Sequence, residues 1–340
     1  MRIGVIGAGG WGTALAALLV RAGHTVCLWA RKPERCAELQ KTGENTRYLP
    51  GIRLPAQLTY SASLAAVAGE KALLVLAVPS QAMRAVVSEL VPLTTASASA
   101  APLLGSASKG VEEDTLLTMS GVLREVLGPE VQTRLAVLSG PSFAVDVVRG
   151  LPTAVTVAAA TQAVARKVQQ VFATAQFRVY TTTDVTGVEI GGAAKNVIAL
   201  AAGVSDGLGY GQSARAALIT RGLVEMTRLA ERLGGLPQTL SGLSGLGDAV
   251  LTCTSTLSRN YRVGVRLGKG ELIGDILHSM SSVAEGVPSS RSIFALAQRY
   301  GVEMPIIEQI HALLYRHKPA REVVAALLAR EVKPEFGNRN

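Results

Sequence analysis

Short apolar segments alternate with helical patterns over the first half of the chain, and this alternation restricts the fold more than any other feature. Amphipathic stretches such as Trp11–Ala22 lie between several of the apolar segments. The pattern predicts a doubly wound, mostly parallel α/β sheet. Seven segments have the length and composition of strands: Arg2–Ile6, Thr25–Trp29, Ala72–Ala77, Pro102–Ser106, Leu135–Ser139, Ala154–Ala159 and Phe177–Thr181.

Strand patterns end at about Asp184, and helical patterns follow. The sequence therefore predicts an α/β domain over residues 1–183 and an all-α domain over residues 184–340. A chain of 340 residues is long enough for two such cores. Six helices are predicted in the second part: Val185–Val204, Ala214–Leu233, Arg259–Leu267, Ser289–Tyr300, Ile306–Tyr315 and Ala320–Ala329.

Composition excludes several classes of protein. With 48% hydrophobic and 17% charged residues, the chain is not disordered. The net charge is +9, but the basic residues are spread out and aromatic residues make up only 4%, so we expect anionic small molecules rather than nucleic acid. Three cysteines without CxxC spacing and four scattered histidines predict neither disulfides nor a metal site.

The start of the chain and its hydropathy indicate where the protein works. The chain begins with a strand, without a basic and apolar signal segment ahead of it. It also contains no uninterrupted apolar run long enough to span a bilayer. We therefore expect a cytoplasmic protein without an integral membrane segment.

The turn "GAGGWG" joins the first strand to the first helix. In this GxGxxG pattern Gly7 makes the tight turn, Gly9 lets the backbone approach a pyrophosphate, and Gly12 allows close packing of helix and strand. The free N–H groups of the helix N-terminus attract the same anion. In this βα context the motif predicts a Rossmann-type, dinucleotide-binding domain.

The end of the second strand indicates which dinucleotide is preferred. A carboxylate there would accept the ribose 2′-hydroxyl of NAD, but this chain has Arg31 and Lys32. Cations at this position suit the 2′-phosphate of NADP. The sequence therefore favours NADPH, with NADH as a possible second cofactor; a solvated basic turn is the alternative.

Two further strands end in polar turns, at the edge where ligands bind in such sheets. Lys109 and Gly110 follow one strand, and "SGPSFAVD" contains the other turn. The hydroxyl of Ser142 has two open roles, binding an anion or only capping the next helix.

The stretch "SGLGDAVLTCTSTLSRNYRVG" reads as a polar, loop-rich segment of the helical domain. Asp248 follows a glycine turn, and "SRN" combines a hydroxyl cap, a guanidinium and an amide in Ser258, Arg259 and Asn260. This set of donors suits a phosphate, while an ordinary helix cap beside a surface arginine is the alternative.

Lys195 and Asn196 interrupt an otherwise apolar helix, "GVEIGGAAKNVIALAAG". Burial lowers the pKa of a lysine, as does a nearby cation such as Lys109, and a lysine near neutral pKa can transfer protons. We expect Gly191 and Gly192 to leave room for substrate or cofactor beside Lys195. A lysine that extends to the surface is the alternative.

Several strings together resemble the bacterial NAD(P)-dependent glycerol-3-phosphate dehydrogenases over nearly the whole chain. The strings occur in the family's order: "GAGGWGTALA", "ENTRYLPG", "SKG", "SGPSFA", "EIGGAAKNVIALAAG", "AALITRGLVE", "GLGDAVLTC", "SRN" and "VAEG". Ser213, Arg215, Asp146 and Ala249 depart from the family's usual residues, and none of them matches a catalytic position.

The resemblance implies roles for individual residues. Lys195 matches the proton-transfer residue. Substrate-contacting positions are matched by Lys109, Gly140, Ser142, Lys195, Asp248, Ser258, Arg259 and Asn260. Cofactor-contacting positions are matched by Gly10, Trp11, Arg31, Lys32, Lys109, Ala144, Arg259, Val283 and Glu285.

The resemblance also implies the reaction. NADPH would reduce dihydroxyacetone phosphate to sn-glycerol 3-phosphate, the backbone of phospholipids, at a site between the Rossmann-type domain and a helical substrate-binding domain. A homodimer is the family's usual state. Two alternatives are another NADP-dependent hydroxy-acid dehydrogenase of two domains and a dinucleotide sensor without catalysis.

Overall fold

The first half of the chain forms one eight-stranded sheet in the computed structural model, which describes residues 1–94, 101–280, 283–331 and 334–335. The strand order is β3-β2-β1-β4-β5-β6-β7-β8, and only the pairing of β6 with β7 is antiparallel. The strands are β1 Arg2–Ile6, β2 Thr25–Trp29, β3 Thr59–Ser61, β4 Leu73–Leu76, β5 Leu103–Ser106, β6 Leu135–Ser139, β7 Thr153–Ala159 and β8 Phe177–Thr182.

Helices cover both faces of the sheet. They are α1 Gly10–Arg21, α2 Pro33–Thr42, α3 Leu64–Ala68, α4 Met83–Thr94, α5 Met119–Leu127, α6 Ala144–Arg149 and α7 Gln162–Phe172. One apolar cluster joins the sheet to α1, α6 and α7, and a second joins the opposite face to α3, α4 and α5. This two-sided burial confirms the predicted doubly wound α/β architecture.

The second half is helical in its described residues. It contains α8 Val185–Gly207, α9 Gly211–Arg232, α10 Pro237–Leu240, α11 Asp248–Thr254, α12 Arg259–Gly268, α13 Ile273–His278, α14 Gly286–Tyr300, α15 Pro305–Tyr315 and α16 Ala320–Leu328. A third apolar cluster forms the core of these helices. The predicted boundary between residues 183 and 184 lies between the end of β8 and the start of α8, and its position stays a prediction.

Helix α8 is the centre of the helical domain, with nearly every residue buried. By length and composition it could cross a membrane, but its most apolar window is 100% buried inside the protein. Glycines let α12 pack directly on it, since a Cβ on Gly203 would lie 2.9 Å from the Cα of Gly264. This close approach brings the start of α12 beside the middle of α8.

Candidate active site

The glycine-rich turn has the geometry that a dinucleotide needs. Gly7 has a φ of 117°, and a Cβ there would lie 2.5 Å from the carbonyl oxygen of Ala77. A Cβ on Gly12 would collide with the carbonyl of Gly7, whereas a Cβ on Gly9 would meet nothing within 4 Å. The turn is therefore closed against the sheet and open on its outer side, where a pyrophosphate would approach the N-terminus of α1.

The residues "ENTRY" cover one side of this turn. The side-chain amide of Asn45 donates to the carbonyl oxygen of Ala8 at 3.1 Å and to the hydroxyl of Thr13 at 2.7 Å. Tyr48 lies against Gly10, and the guanidinium groups of Arg35 and Arg47 lie 5.9 and 5.4 Å from its ring centroid. Sequence reasoning missed Asn45 and Tyr48, although the string "ENTRYLPG" contained them.

Several of the residues predicted to contact the cofactor lie around the glycine-rich turn. A Cβ on Gly10 would lie 3.8 Å from the Cβ of Ala144 at the start of α6, and Trp11 follows in the first turn of α1. Arg31 and Lys32 are exposed just after β2, which pairs with β1. Their charges therefore stand beside the glycine-rich turn, at the carboxyl end of the sheet.

Lys109, Lys195 and Asp248 form the chemical centre of the site. The ammonium of Lys109 lies 2.5 Å from Oδ2 of Asp248, and the ammonium of Lys195 lies 3.1 Å from Oδ1. Lys195 also donates to the hydroxyl of Thr252 at 2.7 Å, and Lys109 to the carbonyl oxygen of Gly140 at 3.1 Å. Residues from three distant segments are thus brought together as predicted, with Thr252 as a member that the sequence analysis missed.

Burial and the neighbouring charges shift the pKa values of Lys195 and Asp248. It lowers the pKa of Lys195 to about 8; Asp248 opposes this shift, and the positive charge of Lys109 adds to it. Burial would raise the pKa of Asp248, but the two lysines hold it below its ordinary value. Lys195 is therefore a buried group with a pKa near neutral, and it does not extend to the surface.

The glycines ahead of Lys195 make room for protein, contrary to our expectation that they leave room for a ligand. A Cβ on Gly191 would lie 2.6 Å from the carbonyl oxygen of Ser244, and one on Gly192 would lie 3.4 Å from Cγ of Lys109. The side chain of Lys109 thus crosses α8 over Gly192. The glycines allow the two lysines to share one carboxylate.

The start of α12 forms a second polar group beside Asn196, the residue after Lys195. Ser258 caps the helix by accepting a hydrogen bond from the backbone N–H of Tyr261 at 3.2 Å, as predicted. Asn260 donates to Oδ1 of Asn196 at 2.9 Å and accepts from the N–H of Gly286 at 2.9 Å. Arg259 is exposed, and it interacts electrostatically with Glu285 and Tyr48. Arg259 thus lies at the first position of α12, near enough to Tyr48 and Glu285 for their charges to act on it.

The hydrogen bonds of the turn after β6 exclude one of the two roles considered for Ser142, anion binding and capping of the next helix. Its hydroxyl donates to the carbonyl oxygen of Gly140 at 3.0 Å. Helix α6 begins after Phe143 and has no side-chain cap, so the interpretation of Ser142 as a helix cap is wrong. Gly140 has a φ of 139°, and a Cβ there would lie 2.9 Å from the Cα of Val155.

The segment before α14 completes the cleft. Glu285 accepts hydrogen bonds from Ser80, and Val283 is exposed nearby. Across the part of the chain that the structure describes, no group of three or more His, Cys, Asp or Glu residues could hold a metal ion. The ionisable groups of this region thus include Lys109, Lys195 and Arg259 as cations, and Asp248 and Glu285 as carboxylates.

A dinucleotide-type turn in an α/β sheet, together with a buried lysine on the following helical part, is typical of the class of dinucleotide-binding dehydrogenases. Comparison with known proteins specifies it further. Residues 2–165 match the model of the NAD-dependent glycerol-3-phosphate dehydrogenase N-terminus, and residues 184–325 match that of the C-terminus. The chain belongs to the NAD-dependent glycerol-3-phosphate dehydrogenase family, which is a family of oxidoreductases.

Individual relatives agree with this assignment over the full chain. Glycerol-3-phosphate dehydrogenases [NAD(P)+] of Geobacter sp. strain M21 and Geobacter sulfurreducens are 52% and 54% identical over 334 residues, which is 98% of this chain and 98% of each relative. The crystal structure of glycerol-3-phosphate dehydrogenase from Coxiella burnetii is 38% identical, with a TM-score of 0.91. The matched region covers 97% of this chain and 99% of the chain in that crystal structure.

Proposed function

We propose that this protein reduces dihydroxyacetone phosphate to sn-glycerol 3-phosphate with NADPH, and catalyses the reverse oxidation. The observation that carries the proposal is the buried ammonium of Lys195, held 3.1 Å from Asp248, on a helix whose next residue, Asn196, is hydrogen-bonded to Asn260 at the start of α12. A ketone reduction needs a proton donor of near-neutral pKa, and a phosphorylated substrate needs an anion site. We propose that Lys195 and the start of α12 supply them.

Lys195 supplies the proton in the proposed mechanism. A nicotinamide cofactor, held by the glycine-rich turn at Gly9 and Gly10, would supply the hydride to the carbonyl carbon of the substrate. The carbonyl oxygen then takes a proton from Nζ of Lys195, so that the lysine is left neutral and regains a proton from solvent. In the oxidation, neutral Lys195 accepts the hydroxyl proton. Asp248 holds the ammonium in place, and Lys109 lowers the cost of losing its proton.

The start of α12 is proposed to bind the substrate phosphate. Arg259, the first residue of α12, offers a planar set of donors next to the free N–H groups of the helix N-terminus. Asn260 is fixed from both sides by Asn196 and by the N–H of Gly286. The phosphate is thus held at one end of the substrate while the carbonyl reaches Lys195 at the other.

One assay tests the reaction. The purified protein is given NADPH with dihydroxyacetone phosphate, with unphosphorylated dihydroxyacetone or with 2-keto acids, and NADPH oxidation is followed. Turnover of dihydroxyacetone phosphate alone, or far above the others, is expected. Preference for a keto acid would favour the hydroxy-acid alternative, and tight NADPH binding without any turnover would favour the sensor.

The rates should depend on pH with opposite signs in the two directions. Reduction needs protonated Lys195, so kcat/KM for dihydroxyacetone phosphate should fall as the pH rises through about 8. Oxidation needs the neutral amine, so kcat/KM for glycerol 3-phosphate should rise over the same range. The charged or titratable groups that face Lys195 are Lys109, Asp248 and Cys253. Profiles of the same sign in both directions would contradict the assignment.

The preference for NADPH over NADH is proposed to depend on Arg31, with help from Lys32. Both are exposed where β2 ends, and no carboxylate occupies that position. Arg31→Ala should raise KM for NADPH by about tenfold, which corresponds to a charge-assisted hydrogen bond of roughly 1.5 kcal/mol, and leave KM for NADH nearly unchanged. Lys41→Ala, at the far end of α2, is the matched control. Equal losses for both cofactors would mean that Arg31 is only a solvated cation.

The cellular setting is also part of the proposal. We propose that the protein works in the cytoplasm as a homodimer and that its product supplies the backbone of phospholipids. The net charge of +9 supports small anionic ligands, and the homodimer rests on the family resemblance. Sedimentation of the purified protein tests the dimer, and cell fractionation tests the location.

A further inference from the structure

A buried carboxylate of α8 is hydrogen-bonded to the α/β domain and takes no part in the mechanism above. The side chain of Glu189 accepts the backbone N–H of Ser120 at Oε1, 2.7 Å away, and the hydroxyl of the same serine at Oε2, 2.5 Å away. Ser120 is the second residue of α5. Glu189 thus satisfies two donors at a helix N-terminus in the other domain.

The same arrangement occurs a second time. Glu285, just before α14, accepts the N–H of Ser80 at 3.3 Å and its hydroxyl at 2.6 Å. Ser80 begins the short helical turn that leads into α4, and α4 and α5 pack in one apolar cluster. We call these two carboxylate–serine pairs, Glu189–Ser120 and Glu285–Ser80, the clasps.

The loop that contains Lys109 lies between the clasps. A Cβ on Gly110 would lie 2.5 Å from the side chain of Ser80 and 3.6 Å from Glu285. One residue further along this loop, the side-chain amide of Gln81 donates a hydrogen bond to the carbonyl oxygen of Val111 at 2.9 Å. The loop ends at the start of α5, where Glu189 is bound. One clasp therefore fixes each end of the segment that carries Lys109.

Glu189 also belongs to the helix that carries Lys195, less than two turns earlier. We propose that Glu189 is a positioning residue: by binding the start of α5 it fixes Lys195 relative to Lys109 and so maintains the lysine–aspartate cluster. This inference rests on the proposed function. Displacement of reacting groups by about 1 Å can cost on the order of 10²-fold in rate.

The environment of Glu189 shows that hydrogen bonding, rather than an ion pair, holds it. Burial raises its pKa; Ser120 and Thr118 oppose this shift by hydrogen bonding, and Arg124 opposes it by its charge. These are the groups that face the carboxyl from α5 and the loop before it. Because Glu189 is held by hydrogen bonds, glutamine should replace glutamate with little loss. Alanine should leave the backbone N–H of Ser120 without its acceptor and remove one of the two partners of the Ser120 hydroxyl.

Glu225 provides a matched control within the same domain. It is 3% exposed and accepts the N–H groups of Ile306 and Ile307 at 2.8 and 3.3 Å, so it also binds a helix start. Its partner helix α15 belongs to the helical domain, however, and no active-site group is bound there. Loss of Glu225 should therefore lower stability without displacing Lys195.

The experiment compares Glu189→Ala, Glu189→Gln, Ser120→Ala and Glu225→Ala with the wild type in kcat, KM and the pH profile of reduction. We expect Glu189→Ala to lower kcat by about tenfold or more with little change in KM for NADPH. The apparent pKa of Lys195 should rise, because Lys195 becomes better solvated and less close to Lys109. Ser120→Ala should show the same changes to a smaller extent, and Glu189→Gln should resemble the wild type.

Each outcome decides the proposal. Wild-type kcat and pH profile in folded Glu189→Ala would overturn it, and so would an equal loss of kcat in Glu225→Ala. If Glu189→Ala does not fold, Ser120→Ala decides instead, and an unchanged kcat and pH profile there overturns the proposal. A wild-type protein without turnover would refute the proposed function itself, which is a separate result.

Discussion

Replacing Lys195 with methionine should lower kcat by about 10²-fold or more while NADPH still binds. Methionine has nearly the shape of lysine but no proton to transfer. The fold should survive, because Asp248 keeps its ion pair with Lys109 at 2.5 Å and is not left as an unpaired buried charge. Steady-state kinetics in both directions, with NADPH binding followed by fluorescence, measure the two effects separately.

A second variant distinguishes proton transfer from charge. Lys195→Arg keeps a cation next to Asp248, but a guanidinium does not release its proton near neutral pH. It should therefore be nearly as inactive as Lys195→Met and show no pH dependence near 8. Near-normal kcat in a folded variant of either kind would exclude Lys195 as the proton-transfer group.

The strands could be predicted closely because each is an apolar run with polar ends. Arg2–Ile6, Thr25–Trp29 and Leu135–Ser139 agree with the structure at both ends, and the other four differ by one residue at one or both ends. The missed strand, Thr59–Ser61, has three residues at the edge of the sheet and no buried run. Its pairing with β2 depends on the tertiary fold, which leaves no local signal.

The segment before α12 shows where local patterns fail. It was predicted to be loop-rich, but it contains a π-helical turn, Leu243–Gly247, followed by helix α11. Threonine, cysteine and serine have weak helix propensity, and "LTCTST" therefore resembles a loop. Burial of Asp248, Ala249, Thr252 and Cys253 against α8 stabilises the helix in spite of this composition.

The candidate site was predictable in its parts and not in its contacts. Glycine spacing predicted the turn, and the family resemblance, together with the apolar helix around Lys195, implied the role of that lysine. The carboxylate of Asp248 pairs with both Lys109 and Lys195. Lys109 and Asp248 are 139 residues apart, and no periodicity of the sequence relates them. Glu189 was likewise present in the same string as Lys195, but only the fold shows that Ser120 is its partner.

Replacing Arg259 with alanine should lower kcat/KM for dihydroxyacetone phosphate by about ten- to a hundredfold. The reason is the loss of a charge-assisted hydrogen bond to the phosphate, worth roughly 1.5–3 kcal/mol. Unphosphorylated dihydroxyacetone lacks the anion that Arg259 is proposed to bind, so its kcat/KM should change much less. The comparison of the two substrates in one variant therefore measures recognition of phosphate rather than general damage to the enzyme.

Arg262 is the matched control for this experiment, because it is an exposed arginine one turn further along α12. Arg262→Ala removes the same charge from the same helix but not from its first turn, where the free N–H groups would meet the phosphate. It should reduce kcat/KM only slightly, and that reduction should disappear at high salt, as expected for long-range attraction. The loss in Arg259→Ala should persist at high salt. If Arg259→Ala affects both substrates equally, or if the two arginine variants behave alike, then Arg259 is a surface cation beside an ordinary helix cap.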